Sequence, residues 1–257
     1  DYEGRPIYMP RLCQTISFHL TEAEQDFYEQ ASEYLRWSYE TNASLNKNAA
    51  AMVVAVLQRR LASSTYAMSE SLKRRRIRIL QDAAETQVVN SRHTSNLSLQ
   101  QVMDYFDNST ADDSDTLEDG READERIETA ALGLAKPVTQ EQLYKELEYL
   151  DRIIELGEKV REALQEAKFF KFRELIESAE YQNEKLLIFT EHRDTLEYLR
   201  QRFEALGYTG QIAYIHGGMD IEEREQQRIF FMPEDIRRSQ GVKYPDGPSA
   251  RILLATD

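Results

Sequence analysis

The feature that most limits what this chain can fold into is the order of elements in residues 185–257. Leu186-Leu187-Ile188-Phe189 is a continuous apolar run, the pattern of a strand buried on both faces of a sheet. Leu196, Leu199, Phe203 and Leu206 then recur at helical spacing, and Gly207 closes that helix. Ile212-Ala213-Tyr214-Ile215 reads as a second strand, Glu222 to Phe231 as a second helix and Ile252-Leu253-Leu254-Ala255 as a third strand. Strands alternating with helices in this way build a parallel sheet with right-handed crossovers. Ligands of such sheets bind beyond the carboxyl ends of the strands. The fold class expected is α/β, with a large α-helical region N-terminal to the sheet.

The residues before the sheet carry a different texture. Arg11 to Leu20 alternates, with Ile16 and Phe18 on one side, and is read as a short strand. Thr21 and Glu24 form a capping box, and Phe27, Ala31, Tyr34 and Leu35 mark the buried face of the helix after it. Asn46 to Leu80 is further helix, with Met52, Val53, Val56, Leu57 and Leu61 as its apolar stripe. Ser63, Ser64 and Thr65 break it, and a second helix carries the basic run Lys73, Arg74, Arg75, Arg76 and Arg78. From Asp104 to Glu128 apolar residues almost vanish, so a flexible acidic linker is expected there. Thr139 with Gln142 makes a second capping box. Leu143, Leu147, Leu150 and Ile154 line a helix, Gly157 is read as a turn, and Val160 to Ile176 as the next helix. The organisation expected is a strand and helical region over 1–103, a linker over 104–135, a helical hairpin over 136–182 and the α/β unit over 183–257. Met232 to Ala250, with Pro233, Pro245, Gly247 and Pro248, reads as a surface loop before the last strand.

Charge and cysteine usage exclude several classes. The formal net charge of -14 over 257 residues is not that of a protein coated in basic surface. Local fields matter more than the total for gripping phosphate, and the charge is uneven: an acidic run at 104–128, a basic run at 73–78. Cys13 is the only cysteine, so there is no disulfide framework and no thiolate metal cluster. No apolar run approaches a membrane span, and Asp1 to Pro10 lacks the order of a secretory signal. A cytoplasmic protein with no membrane partner is expected.

Three segments place chemistry where a strand gives way to a loop. In Phe189-Thr190-Glu191-His192-Arg193-Asp194-Thr195, a hydroxyl ends the strand and the next helix points its amides at the same space, which suits a phosphate. The alternative is that Thr190 or Asp194 merely caps the helix. In Ile215-His216-Gly217-Gly218-Met219, two glycines admit a ligand close to the backbone, and Arg224 is positioned to brace the loop. The alternative is a tight turn with Arg224 in a solvated ion pair. In Leu254-Ala255-Thr256-Asp257, a polar pair ends an apolar strand, either to meet a phosphate and a nucleotide or as a simple cap. His216 has no second ligand at metal spacing, so no metal site is expected.

Taken in order, LLIFTEHRDTLEYL, IHGGM with the EER arginine, and ILLATD resemble motif IV, the next conserved element and the opening of motif V in the second RecA-like lobe of superfamily 2 helicases and translocases. The match covers Lys185 to Asp257, a little over a quarter of the chain. MPRLCQTISFHLTEAEQDFY resembles the segment joining the two lobes in Swi/Snf-type ATPases, and LQRRLASSTYAMSESLKRR a helical stretch of bacterial members.

This resemblance implies a partial RecA-like sheet, the helicase C-terminal lobe, cut partway through. ATP and magnesium would bind between this lobe and a first RecA-like lobe carrying the phosphate-binding lysine and an acidic pair. No GKT, GKS or DEAH-like sequence is present, and the family's arginine motif would lie beyond Asp257. The chain alone is therefore expected to have no catalytic residue, to bind no cofactor and to hydrolyse no ATP, while its parent would be a nucleic-acid-dependent ATPase. The resemblance implies nucleic-acid backbone contacts from Thr190, His192, Arg193, Gly217, Gly218 and Thr256. It puts Asp257 at the nucleotide cleft and Arg224 as a brace. Lys73, Arg74, Arg75, Arg76 and Arg78 either add phosphate contacts or form a solvated helix face. The partner expected is double-stranded DNA, with protein partners through the helical region as a further expectation. The alternatives are a non-catalytic interaction platform on a degenerate helicase lobe, or part of an RNA helicase.

Overall fold

The computed structural model describes residues 13–43, 47–87, 128, 139–163, 166–242 and 247–256. Among them the chain forms α1 (Glu22–Ala43), α2 (Lys47–Ser63), α3 (Thr65–Gln87), α4 (Gln140–Glu162), α5 (Ala167–Glu177) and β1 (Leu186–Thr190). It continues with α6 (Arg193–Phe203), a π-turn (Glu204–Tyr208), β2 (Ile212–Ile215), α7 (Ile221–Phe231), α8 (Glu234–Ser239) and β3 (Ile252–Thr256). No helix among the described residues is long and apolar enough to cross a membrane.

Helices α1 to α4 pack around Phe27, Tyr34, Leu57, Met68, Leu72 and Leu150, all fully buried. Burying each such side chain contributes roughly 1.5–3 kcal/mol. Both capping boxes form. Thr21 N–H donates to Glu24 Oε2 at 2.8 Å, and Gln142 N–H donates to Thr139 Oγ1 at 3.1 Å. Ser64 alone separates α2 from α3, within the expected break.

Two expectations fail here. Gly157 is not a turn: it lies inside α4, which runs on to Glu162, and the break falls before α5. A Cβ at Gly157 would stand 2.2 Å from Ser69 Oγ and 3.0 Å from Phe27 Cε2. The glycine is there because α3 and α1 come too close for any side chain. Residues 13–20 do not form a strand. They carry no regular structure, and Ile16, Phe18 and Leu20 remain more than a third exposed. Alternation supplied a face but no neighbouring strand to bond.

The sheet has the order β1-β3-β2 and is parallel throughout. One face packs Ile188, Ile252, Leu254 and Ile212 against Phe169 and Ile176 of α5 and Leu196 and Phe203 of α6. The other packs Ala213 and Leu253 against Phe230 and Phe231 of α7. The continuous apolar run at β1 was expected to be buried on both sides. Instead Leu187 and Phe189 are 52% and 63% exposed. Strand β1 is an edge of the described sheet, and α7 covers only its far side. After α6 the chain turns through Gly207 at φ 94°, a left-handed geometry that favours glycine. The expected loop between Met232 and Ala250 contains a short helix, α8.

Candidate functional site

The three strand-to-loop segments converge at one edge of the sheet. Thr190 of β1 is the register partner of Thr256 of β3, and Ile215 of β2 is the partner of Ala255. Thr256 therefore stands between Thr190 on one side and the His216-Gly217-Gly218 turn on the other. Met219 N–H donates to the His216 carbonyl at 3.1 Å, closing that turn. Arg224 of α7 donates from Nη2 to the Gly217 carbonyl at 2.7 Å, which ties the loop to the helix after it. Among the described residues the glycines with positive φ are Gly207, Gly210 and Gly241. Gly217 and Gly218 are not among them, so this turn does not require glycine for its backbone conformation. His216 is buried and stacks on Tyr214, with ring centroids 6.2 Å apart.

The loop after β1 is built by contacts from the helical unit. His192 is the N-cap residue of α6 but makes no side-chain cap bond, and its buried ring lies close to Glu191 and to the backbone of Arg59. Burial, reinforced by Arg60 and Arg59, lowers its pKa to about 4, so the imidazole is neutral at pH 7. Arg193 opens α6, half-buried. Asp194 does not cap. Its carboxylate accepts from Arg60 Nη1 at 2.7 Å and Arg74 Nη2 at 2.9 Å. Thr195 shares hydrogen bonds with Ser63 at 2.8 Å and Ser64 at 2.9 Å. Arg59 pairs with Glu191. The end of α2 and the corner between α2 and α3 are thus docked on the loop that follows Thr190. Arg59 and Arg60 were not singled out from the sequence, because their partners Glu128, Glu191 and Asp194 lie far along the chain from them.

The basic run does not present one uniform face: Arg75 is buried, while Lys73, Arg74, Arg76 and Arg78 remain partly exposed. Arg75 is 2% exposed, and its Nε donates to Glu146 Oε1 at 2.9 Å. The buried Tyr34 hydroxyl donates to the same oxygen at 2.9 Å. Arg74 divides its guanidinium between Glu128 and Asp194, Lys73 pairs with Glu70 and Glu158, and Arg76 pairs with Asp151. Arg78 is half-buried and has an interaction partner too. Glu128, the last residue of the acidic run, is 2% exposed between Arg60 and Arg74. The rest of that run lies outside the described residues, as does Asp257.

A cavity of about 550 Å³ opens beside Thr190, between residues 13–20, α5, β1 and α6. Phe18, Tyr28, Phe169, Phe172 and Phe189 line it. Glu166 is buried in its wall, where desolvation raises its pKa against hydrogen bonds from Tyr198 and Thr65. Among the described residues no group of three or more His, Cys, Asp or Glu could hold a metal ion. No family model, no curated protein and no solved structure matches the chain.

Proposed function

We propose that the chain is the nucleic-acid-gripping part of a Swi/Snf-type DNA translocase, contributing a RecA-like second lobe and its preceding helical region. The observation that carries this reading is the register at the sheet edge. Two hydroxyls from distant motifs, Thr190 and Thr256, are direct neighbours, with the braced Gly217-Gly218 turn next along the same edge. A row of small polar groups at the carboxyl ends of parallel strands suits a linear array of phosphates. Such contacts hold a strand in place and read no base. His192, kept neutral, adds no charge to the grip.

In this reading ATP and Mg²⁺ sit between this lobe and a first RecA-like lobe, and serve to drive opening and closing of the pair. The sequence has no phosphate-binding lysine loop, and among the described residues there is no metal-holding carboxylate cluster. No hydrolytic step is assigned to this chain. A second reading, a protein-docking platform, is favoured by the exposed Leu187 and Phe189 on the uncovered face of β1. Binding of a short DNA duplex at low ionic strength separates the two. The translocase reading expects binding that weakens linearly in log–log form as salt rises. A chain that is folded and binds no duplex at low salt contradicts it.

A further inference from the structure

We propose that Arg59, carried by the helical unit, is a phosphate-contacting residue of the sheet-edge site, and that Glu191 holds its place when no nucleic acid is bound. This rests on the nucleic-acid reading above and adds a residue outside the three strand-to-loop motifs, one that lies in the LQRRLASSTYAMSESLKRR stretch. Two other arginines at the loop after β1, Arg60 and Arg74, are each held by two carboxylates. Arg60 is 5% exposed and closed in by Glu128 and Asp194. Arg74 is shared between the same two carboxylates. His192 is neutral for want of solvent. Arg59 differs: its side chain is 45% exposed and its partner Glu191 is 38% exposed. An ion pair so open to water is weak and screened by salt, so a phosphate array can take the guanidinium from it.

The position of Arg59 is also fixed. Glu191 directly follows Thr190, so the pair brings the guanidinium to the strand end where Thr190 meets Thr256. The end of α2 beyond Arg59 and the corner after it are pinned by the bonds of Ser63 and Ser64 to Thr195. Lys168 donates to the carbonyls of Ala62 and Ser63 at 3.2 and 2.9 Å, which offsets the negative end of α2 where an anion would approach. An arginine suits the task because its planar fork can bond two phosphate oxygens at once.

The test is duplex binding by the 257-residue chain across a salt series, for wild type, Arg59→Ala, Arg59→Lys and Glu191→Gln. Loss of one phosphate contact should lower the log–log salt slope by about 0.9, equivalent to roughly tenfold weaker binding at 50 mM salt and almost none near 1 M. Arg59→Lys should restore the slope. Glu191→Gln should tighten binding at low salt, because the competing carboxylate is gone. If Arg59→Ala keeps the wild-type slope, or weakens binding equally at every salt concentration, Arg59 is only a structural partner of Glu191 and the inference is overturned. Tighter binding by Glu191→Gln that persists in the Arg59→Ala background overturns it as well, since the carboxylate then acts through another cation. Absence of wild-type binding overturns the nucleic-acid reading itself and this inference with it.

Discussion

Replacing Arg75 by methionine should destabilise the chain far more than the same change at its neighbour Arg76. Arg75 is 2% exposed, and it shares Glu146 Oε1 with the hydroxyl of the fully buried Tyr34. Removing the guanidinium leaves the Glu146 carboxylate, itself 2% exposed, without its counter-charge. Breaking one side of a buried pair costs about 3–5 kcal/mol, because the orphaned charge keeps its desolvation penalty. Arg76 and Asp151 are 39% and 57% exposed, and such a pair contributes about 1 kcal/mol or less. Urea denaturation followed by circular dichroism should therefore separate the two variants by at least about 2 kcal/mol. The triple change Arg75→Met, Glu146→Leu and Tyr34→Phe should recover most of the loss, because it leaves no polar group stranded. If Arg75→Met proves as mild as Arg76→Met, the buried triad does not exist in solution and Arg75 must be accessible after all.

Two further outcomes follow from the packing and the charges. Gly157→Ala should destabilise by up to about 2 kcal/mol, the overpacking against Ser69 and Phe27 exceeding the helix-propensity gain, and adding Ser69→Ala should recover part of that loss; a stabilised single variant in urea melts would show that α4 does not approach α3 so closely. His192, with a pKa of about 4 in the folded state against an ordinary 6.5, takes up its proton only in the unfolded chain between those values, so stability should fall by up to about 1.4 kcal/mol per pH unit as pH drops from 6.5 towards 4. His192→Asn should flatten that slope, and an NMR titration of His192 with a midpoint near 6.5 would remove the basis for it.

What could be read from the sequence was what local chemistry decides. The capping boxes at Thr21 and Thr139 need residues three apart, and both form. The strands and α6 were legible because apolar runs and helical spacing are local too. The readings that failed each depended on a distant neighbour. Gly157 could not be told from a turn without knowing that Ser69 and Phe27 lie against it. Ile16 and Phe18 alternate as in a strand, yet pairing needs a partner edge that spacing does not supply. Leu187 and Phe189 look doubly buried, but burial depends on which strand lies at the edge and where α7 falls. The basic run was ambiguous because its carboxylates come from elsewhere in the chain: Glu146 is 71 positions from Arg75 and Asp194 is 120 from Arg74. At the candidate site, the hydroxyls and glycines were visible in the sequence. The arginines of α2 that dock on the same loop were not.

The most direct test of the central claim is duplex DNA binding by the Thr190→Ala, Thr256→Ala double variant. The two hydroxyls are register partners at adjacent strand ends, so one backbone track can meet both. A hydrogen bond to a charged phosphate contributes roughly 1.5–3 kcal/mol, so their joint loss should weaken binding by about an order of magnitude or more. The loss should be the same for duplexes of different sequence, because phosphate carries no base identity. The salt slope should hardly change, since no cation is removed. A folded double variant that binds as wild type does would mean that the threonines only end their strands, and that the sheet edge does not grip nucleic acid.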